Sequence, residues 1–159
     1  MAKFISTTNC YVEKDGKYLM LHRSKDKDKF PGVWMGPGGK QEAEESIFQT
    51  CVREVKEETG IVIENPDLRI VATNNYPDKN KTFLVFIFTS KYKSGDIKKF
   101  PGDGELAWID KKKITELEKL HPDLKWHIPI LLKNKKEVIF TYNEYNNKGE
   151  VVKHNIIGE

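Results

Sequence analysis

Three glutamates lie close together near the middle of the chain, at positions 54, 57 and 58. On a helix, which turns by about 100° per residue, their side chains fall within an arc of roughly 100° beside an apolar stripe. Each like-charged pair at this spacing costs roughly 0.2–0.5 kcal/mol. A hard cation such as Mg²⁺ or Mn²⁺ prefers carboxylate oxygens and would turn the repulsion into binding. The spacing indicates a metal site, although E-x-x-E-E is also typical of a solvated helix face.

The residues around the glutamates decide between these two interpretations. From Gly39 the chain reads GKQEAEESIFQTCVREVKEETGI, in which Glu45 follows after five residues, Arg53-Glu54 after a further seven, and Gly60 near the end. Seven fixed residues at ordinary abundances match by chance on the order of once in ten million chains of this length. The segment resembles the Nudix box, the motif of a family of Mg²⁺-dependent hydrolases that cleave phosphoanhydride bonds of nucleotides.

The resemblance implies a set of roles for the acidic residues. In the family, the glutamates that match Glu54, Glu57 and Glu58 bind the divalent metal, and the glycine that matches Gly39 can add its carbonyl oxygen. Water then attacks a phosphorus atom while the metal neutralises the phosphate oxygens. The general base is not placed uniformly in the family. Glu54 is one candidate, and Glu105, in the segment FPGDGELAW, is the other.

Each of the other box residues has a physical reason to stand at its position. Gly38 and Gly39 allow a tight turn and a close approach of the backbone to a metal or phosphate. Glu45 can brace this loop. Arg53 is a candidate catalytic residue, because it can fix a carboxylate through a charge-assisted hydrogen bond. Gly60 follows the apolar stripe and is predicted to end the helix.

The segments that flank the box carry the evidence on substrate. HRSKDKDKFPGVWMGPGGK and ELAWIDKKKI resemble the MutT-like branch, which hydrolyses oxidised purine nucleoside triphosphates such as 8-oxo-dGTP to the monophosphate and pyrophosphate. The resemblance implies that Trp126 stacks on the purine and that Asp123 accepts a hydrogen bond from its edge. Arg23 and Trp34 are further candidates for substrate binding. Both tryptophans could instead be core aromatics, and Arg23 could face only solvent.

Two departures leave other substrates open. Some members of the branch carry Asn at the position of Met35 and a second Asp at the position of Leu124. Tyr76-Pro77 lies where subfamilies acting on dinucleoside polyphosphates, ADP-ribose or nucleotide sugars carry a diagnostic Tyr or Pro. A non-catalytic nucleotide-binding module is less compatible with an intact box. An RNA-end hydrolase would need an extended basic groove, which the scattered lysines do not indicate.

The hydropathy pattern predicts the elements that position these residues. Asp15-Gly16 joins two apolar segments in a first hairpin, a Pro- and Gly-rich loop precedes the box, and Gly60 ends its helix. The predicted strands are residues 5–13, 18–22, 70–72, 83–88, 106–109, 138–145 and 150–157, and the predicted helices are residues 44–59, 114–120 and 124–132. We expect an α/β fold, the Nudix fold, with a mixed β-sheet sandwiched between helices. Residues 1–159 form one domain in this interpretation, with a C-terminal β-hairpin at 138–157.

Composition limits the remaining possibilities. The 159 residues carry 27 basic and 24 acidic side chains, and a net charge of +3 does not predict a stable nucleic-acid partner. Cys10 and Cys51 are predicted to be buried thiols, and the four histidines to be incidental. The chain shows no secretory signal or apolar stretch of membrane length, so we expect no membrane partner and a cytoplasmic location. The C-terminal hairpin presents an edge strand through which a homodimer could form.

Overall fold

The structure, a computed structural model, describes residues 1–99, 102 and 104–157. Short 3₁₀ helices occupy Pro77–Lys79 and Ile114–Glu116. The strands are β1 (Lys3–Lys14), β2 (Lys17–Arg23), β3 (Trp34–Met35), β4 (Gly38–Lys40), β5 (Val62–Tyr76), β6 (Lys81–Ser94), β7 (Gly104–Asp110), β8 (Ile139–Tyr145) and β9 (Val151–Ile157), and the helices are α1 (Ile47–Thr59) and α2 (Leu124–Leu132).

The described strands form a single mixed sheet in the order β3-β2-β1-β6-β5-β8-β9, with β4 paired to β1 and β7 paired to β2. Strands β1 and β6 run parallel, as do β5 and β8, whereas the other pairs are antiparallel. β6 lies in the middle of this order, a position that suits its apolar residues on both faces. β9 forms one edge of the sheet, so pairing with a second copy stays a prediction.

The two helices cover opposite faces of this sheet. Cys10 and Val12 of β1 pack with Val55 of α1, whereas Tyr11 between them packs with Ile128 of α2. Because successive side chains of a strand point to opposite faces, β1 contributes to both hydrophobic cores. The predicted sandwich of a mixed sheet between helices is confirmed.

Both predicted hairpins are present. Asp15 and Gly16 have φ angles of 52° and 73°, the left-handed conformation that a tight two-residue turn between β1 and β2 requires. β8 and β9 form the C-terminal hairpin within the predicted range. The two cysteines are buried free thiols, as predicted. Among the described residues, none of the helices is long and apolar enough to cross a membrane.

Helix α1 begins three residues later than predicted. Ser46 caps its first turn, since the Ser46 side chain accepts a hydrogen bond from the Gln49 amide while Gln49 bonds back to the Ser46 amide. Glu44, the predicted first residue, has a φ of 67° and lies in the loop before the helix. Gly60 ends the helix in the left-handed conformation, with a φ of 84°, as predicted.

The region before α2 also differs from the prediction. Only Ile114–Glu116 is helical, as a single 3₁₀ turn, so the predicted helix over residues 114–120 is wrong beyond its first turn. Leu117 is extended and Lys119 has a φ of 54°, and the Lys119 carbonyl accepts a bond from the Trp34 amide instead of a helical bond. α2 spans the predicted residues 124–132 despite Pro129.

Candidate active site

The loop before α1 brings the backbone close to the first box glutamate. Gly38 and Gly39 lie in β4, which pairs with Thr8 of β1. A side chain at Gly38 would overlap the Thr8 carbonyl, and one at Gly39 would overlap the Glu54 carboxylate. At Gly38 the overlap is with backbone, so only glycine permits this approach, and the Gly39 backbone lies directly beside Glu54.

Arg53 organises the acidic side chains around it. Its Nε and Nη2 atoms donate to the two carboxylate oxygens of Glu45 at 3.0 and 2.6 Å. Its Nη1 atom donates to Glu54 Oε1 at 2.7 Å and to Glu57 Oε2 at 3.1 Å, and Nη2 also reaches the Lys40 carbonyl at 3.1 Å. One planar guanidinium thus joins the loop to the helix and sets the positions of two box carboxylates.

Glu45 is the brace of this loop, as its position in the sequence predicted. Its carboxylate also accepts bonds from the Thr50 hydroxyl and the Glu42 amide, both at 2.8 Å. The hydrogen bonds from Arg53 are the largest cause that lowers the pKa of Glu45 to about 2. The same contacts with Glu45 raise the pKa of Arg53, so this pair stays charged throughout the neutral range.

The three metal-binding candidates differ in exposure. The Glu54 side chain is 18% exposed and that of Glu57 is 60% exposed, while Glu58 is half-buried. In the described part of the chain, no group of three or more His, Cys, Asp or Glu side chains has the arrangement of a metal site. Arg53 forms ion pairs with Glu54 and Glu57. The donors are nevertheless the hard oxygen ligands that Mg²⁺ selects, and the missing Cβ of Gly39 leaves room for the Glu54 carboxylate against its backbone.

A cleft with a volume of about 580 Å³ begins beside this acidic group. It lies on the face of the sheet that α2 covers, and Gly38 and Gly39 form one of its walls. The other residues that line it are Thr7, Thr8, Asn9, Arg23, Asp28, Lys29, Phe30, Pro31, Val33, Met35, Lys40, Asn74, Tyr76, Lys79, Lys81, Phe83, Val85, His121, Asp123, Asn147, Lys148 and Gly149. This size suits a nucleotide.

Cationic side chains dominate one part of the cleft. Lys29 lies with its Nζ atom 5.4 Å from the Phe83 ring centre, and Lys79 lies with its Nζ atom 5.6 Å from the Tyr76 ring centre. Burial and the charge of Lys81 are the main causes that lower the pKa of Lys29, and Lys40, Lys79 and Arg23 add to them. Mutually repelling cations that share a cleft are suited to a ligand with several negative charges.

Asp123 also lines the cleft and is 6% exposed. His121 Nδ1 lies 2.7 Å from one of its oxygens, and Asn74 Nδ2 donates to the other at 3.3 Å. Burial acts to raise the pKa of Asp123, but the charges of His121 and His127 and the two hydrogen bonds outweigh it and hold that pKa well below its usual range. The cleft therefore contains a buried carboxylate acceptor.

Arg23 lines the cleft as well, and its Nε atom donates to the Lys29 carbonyl at 3.0 Å. The two tryptophans do not line it. Trp34 stacks on His22 with a ring separation of 4.3 Å, and Trp126 stacks on His154 at 3.8 Å. The expectation that Trp126 stacks on a purine therefore does not fit this placement, because its ring already packs against the C-terminal hairpin. The candidate role of Trp34 in substrate binding does not fit its placement either, because its ring stacks on His22 of β2.

Glu105 lies in strand β7 and not in a loop, paired with His22 of β2. Its side chain is exposed and does not line the cleft. The prediction that all four histidines are incidental is wrong for His121, because its Nδ1 atom bonds to Asp123. Tyr76 and Phe30 line the cleft, and of these only Tyr76 had a signal in the sequence, the Tyr-Pro pair after the box.

Comparison with known proteins agrees with the fold and the box. The NUDIX domain matches residues 3–132 of the chain. The chain is 34% identical to the uncharacterised Nudix hydrolase YvcI of Bacillus subtilis, over 69% of this chain and 68% of that protein. It is 28% identical to an ADP-ribose pyrophosphatase of Methanocaldococcus jannaschii, over 67% and 62% of the two chains.

A solved structure matches along almost the whole chain. The crystal structure of a MutT protein from Bacillus halodurans has a TM-score of 0.86 and 29% sequence identity, and the match covers 98% of this chain and 99% of that one. Three observations point to the same family. They are the box, the mixed sheet with a helix on each face, and the domain match over residues 3–132. The chain belongs to the Nudix hydrolase family.

Proposed function

We propose that this Nudix hydrolase cleaves a purine nucleoside triphosphate, with an oxidised purine such as 8-oxo-dGTP as the preferred substrate, to the monophosphate and pyrophosphate. The observation that carries the proposal is the cleft, which is lined by Gly39 beside Glu54, by the buried carboxylate of Asp123 and by several cationic side chains. A phosphate chain matches the cations, and a purine edge that donates hydrogen bonds matches Asp123. The similarity to a MutT protein over the whole chain supports the same substrate class.

The residues present fit a divalent cation, Mg²⁺ or alternatively Mn²⁺. We propose that Glu54, Glu57 and Glu58 hold it together with the Gly39 carbonyl. When bound, such an ion neutralises phosphate oxygens and lowers the pKa of bound water. Arg53 acts on this group through its bonds to Glu54 and Glu57, which hold both carboxylates in position.

The general base is proposed to be Glu54. Its carboxylate lies beside Gly39, which lines the cleft, and Arg53 donates to its Oε1 atom, so Oε2 is the atom proposed to accept the proton from water or to bind the metal. Glu105 is the alternative base, but its exposed position on β7 outside the cleft favours it less.

A substrate panel in Mg²⁺ tests the proposal. We expect pyrophosphate, and not orthophosphate, to be released from 8-oxo-dGTP and dGTP, with the higher kcat/KM for the oxidised nucleotide. The second candidate is a nucleoside diphosphate derivative such as ADP-ribose, a dinucleoside polyphosphate or a nucleotide sugar. Tyr76 in the cleft and the similarity to an ADP-ribose pyrophosphatase favour it. Cleavage of one of these with a kcat/KM several decades higher, and no pyrophosphate from the triphosphates, would contradict the proposal.

A further inference from the structure

The C-terminal hairpin β8–β9 lies outside residues 3–132, the range that the NUDIX domain matches, yet it reaches the cleft by two routes. The turn between its strands contributes Asn147, Lys148 and Gly149 to the cleft lining. Its buried side chains also bond to the residues that surround Asp123. Both routes end at the same carboxylate.

The first route is a chain of hydrogen bonds across the sheet. His154 Nδ1 of β9 lies 2.6 Å from Asn143 Oδ1 of β8, and Asn143 Nδ2 donates to Asn74 Oδ1 of β5 at 2.9 Å. Asn74 Nδ2 then donates to Asp123 Oδ2 at 3.3 Å. Asn143 is fully buried and Asn74 is 4% exposed, so the middle of this chain is shielded from solvent.

The carboxylate determines the direction of every bond in this chain. An ionised carboxylate only accepts hydrogen bonds, so Asn74 must present its NH₂ group to Asp123 and its oxygen to Asn143. Asn143 must then present its NH₂ group to Asn74 and its oxygen to His154. His154 must in turn carry its proton on Nδ1. A reversal of either amide would bring two acceptors together in a buried site, which is unfavourable.

Trp126 fixes the far end of the chain. Its indole stacks on the His154 ring with an angle of 9° between the planes, which sets the direction of the Nδ1–H bond. Trp126 therefore acts on the site by orienting His154, without contact with the base.

The second route runs through the hairpin turn. The Asn146 side chain accepts bonds from the Lys148 and Glu150 amides, both at 3.0 Å, and so holds the turn in one shape. Gly149 packs directly on the Phe30 ring, where an added Cβ would lie 3.2 Å from Phe30 Cε1. The Phe30 ring is 4.3 Å from that of His121, the residue that bonds to the other oxygen of Asp123.

We propose that hairpin β8–β9 is a nucleobase-specificity element of this enzyme, which positions Asp123 through Asn143 and Asn74 so that the cleft selects a base whose edge presents N–H donors. The guanine edge, with donors at N1 and N2, is such a base, whereas adenine presents one donor group beside an acceptor. The inference rests on the proposed function and refines its substrate class. Asn74, Asn143 and His154 are positioning residues in it.

Calorimetric binding of dGMP and dAMP without metal tests this proposal separately from catalysis. We expect the wild-type chain to bind dGMP at least about tenfold more tightly than dAMP, since two good hydrogen bonds to a base edge discriminate by this order. His154→Phe keeps an aromatic ring against Trp126 but removes the donor, and we expect it to lower the dGMP-to-dAMP preference by about threefold or more. His154→Asn, which restores a donor near the Nδ1 position, should keep the preference.

Asn155→Ala is the matched control, because Asn155 is exposed on the same strand and lies opposite Tyr142. It should leave the preference unchanged. Each variant is measured well below its thermal unfolding midpoint. Should His154→Phe fail to fold, Asn74→Ser interrupts the chain at its middle and should lower the preference in the same way.

Three results would overturn the proposal. They are equal binding of dGMP and dAMP by the wild-type chain, an unchanged preference in His154→Phe or Asn74→Ser, and an equal loss in His154→Phe and His154→Asn. If the preference behaves as expected but no triphosphate releases pyrophosphate, the proposed function fails while the specificity element stands.

Discussion

Two groups of side chains at the cleft are built from different kinds of contact. The acidic end is the group beside Gly39, made of Glu45, Arg53, Glu54 and Glu57, and the Asp123 end is Asp123 with the residues bonded to it. At the acidic end, Arg53 bonds to Glu45 eight positions away and to Glu57 four positions away, all within one loop and one helix. At the other end, Asn74 bonds to Asp123 across 49 positions, and Asn143 bonds to Asn74 across 69. Arg53 and Glu45 of the first group are 22% and 14% exposed, whereas Asn74 of the second is 4% exposed and Asn143 is fully buried.

This difference separates two properties of the enzyme. The acidic end is a local, partly solvated group of charges within one segment. Its arrangement therefore does not depend on substitutions elsewhere in the chain. A buried polar network depends on four elements at once, and each of its members must be satisfied for the others to keep their orientation. We therefore expect substitutions at the acidic end to change turnover and those at the Asp123 end to change selectivity.

The largest effect is expected from Glu57→Gln. Loss of this charge removes a proposed ligand of the divalent cation, and kcat should fall by roughly 10³-fold, which exceeds the 10–100-fold typical of residues that only support a ligand. Because Glu57 is 60% exposed, the thermal unfolding midpoint should stay close to that of the wild type. Steady-state kinetics at varied Mg²⁺ provides the measurement. Glu64→Gln, at an exposed position on β5, is the control, and an unchanged kcat in Glu57→Gln would refute the metal assignment.

Arg53→Lys should have the next largest effect. A lysine keeps the charge but cannot donate to Glu45, Glu54 and Glu57 from one planar group, so kcat/KM should fall by roughly 10–100-fold. The unfolding midpoint should fall as well, because the loop loses its bond to the helix. Kinetics and thermal denaturation measure the two effects. Wild-type activity in this variant would show that the network is dispensable at the acidic end.

A smaller effect is expected from the cations of the cleft. Lys79→Ala and Lys81→Ala should each raise KM for a triphosphate by roughly two- to fivefold, with little change in kcat, because exposed charge contacts contribute modest binding energy. The effect should shrink at high salt. Lys136→Ala, at an exposed position outside the cleft, is the control. A fall in kcat without a change in KM would place these lysines in the chemistry and not in binding.

The pH dependence of stability should report on Glu45. Its pKa is about 2 in the folded protein and ordinarily 4.5, so its contribution to stability is present above pH 4.5 and is lost as the pH falls toward 2. Glu45→Gln lacks this charge at every pH. The difference in free energy of unfolding between wild type and variant should therefore be largest near neutral pH and should shrink between pH 4.5 and 2. Denaturant titrations at several pH values measure it, and a difference that is constant with pH would contradict the assignment.

Much of the acidic end followed from the sequence. The box spacing predicted the helix, its end at Gly60, a bracing role for Glu45 and a bond from Arg53 to a carboxylate, because each depends on residues within about one loop and one helix. That Arg53 also pairs with Glu45 is seen only in the structure. The start of α1 was misplaced by three residues because Ser46, and not Glu44, offers the capping side chain. The helix predicted over residues 114–120 failed because Trp34, far away in the chain, binds the Lys119 carbonyl.

The sequence alone determined the family, the sheet between helices and the charged loop-helix unit, since those depend on local patterns of charge, glycine and hydropathy. The tertiary structure decided that Trp126 packs on His154 and not in the cleft, that His121 and Asn74 bond to Asp123, and that the C-terminal hairpin reaches the cleft. These contacts join segments that are tens of residues apart. Which such segments meet depends on strand order and helix packing, and no short stretch of sequence contains that information.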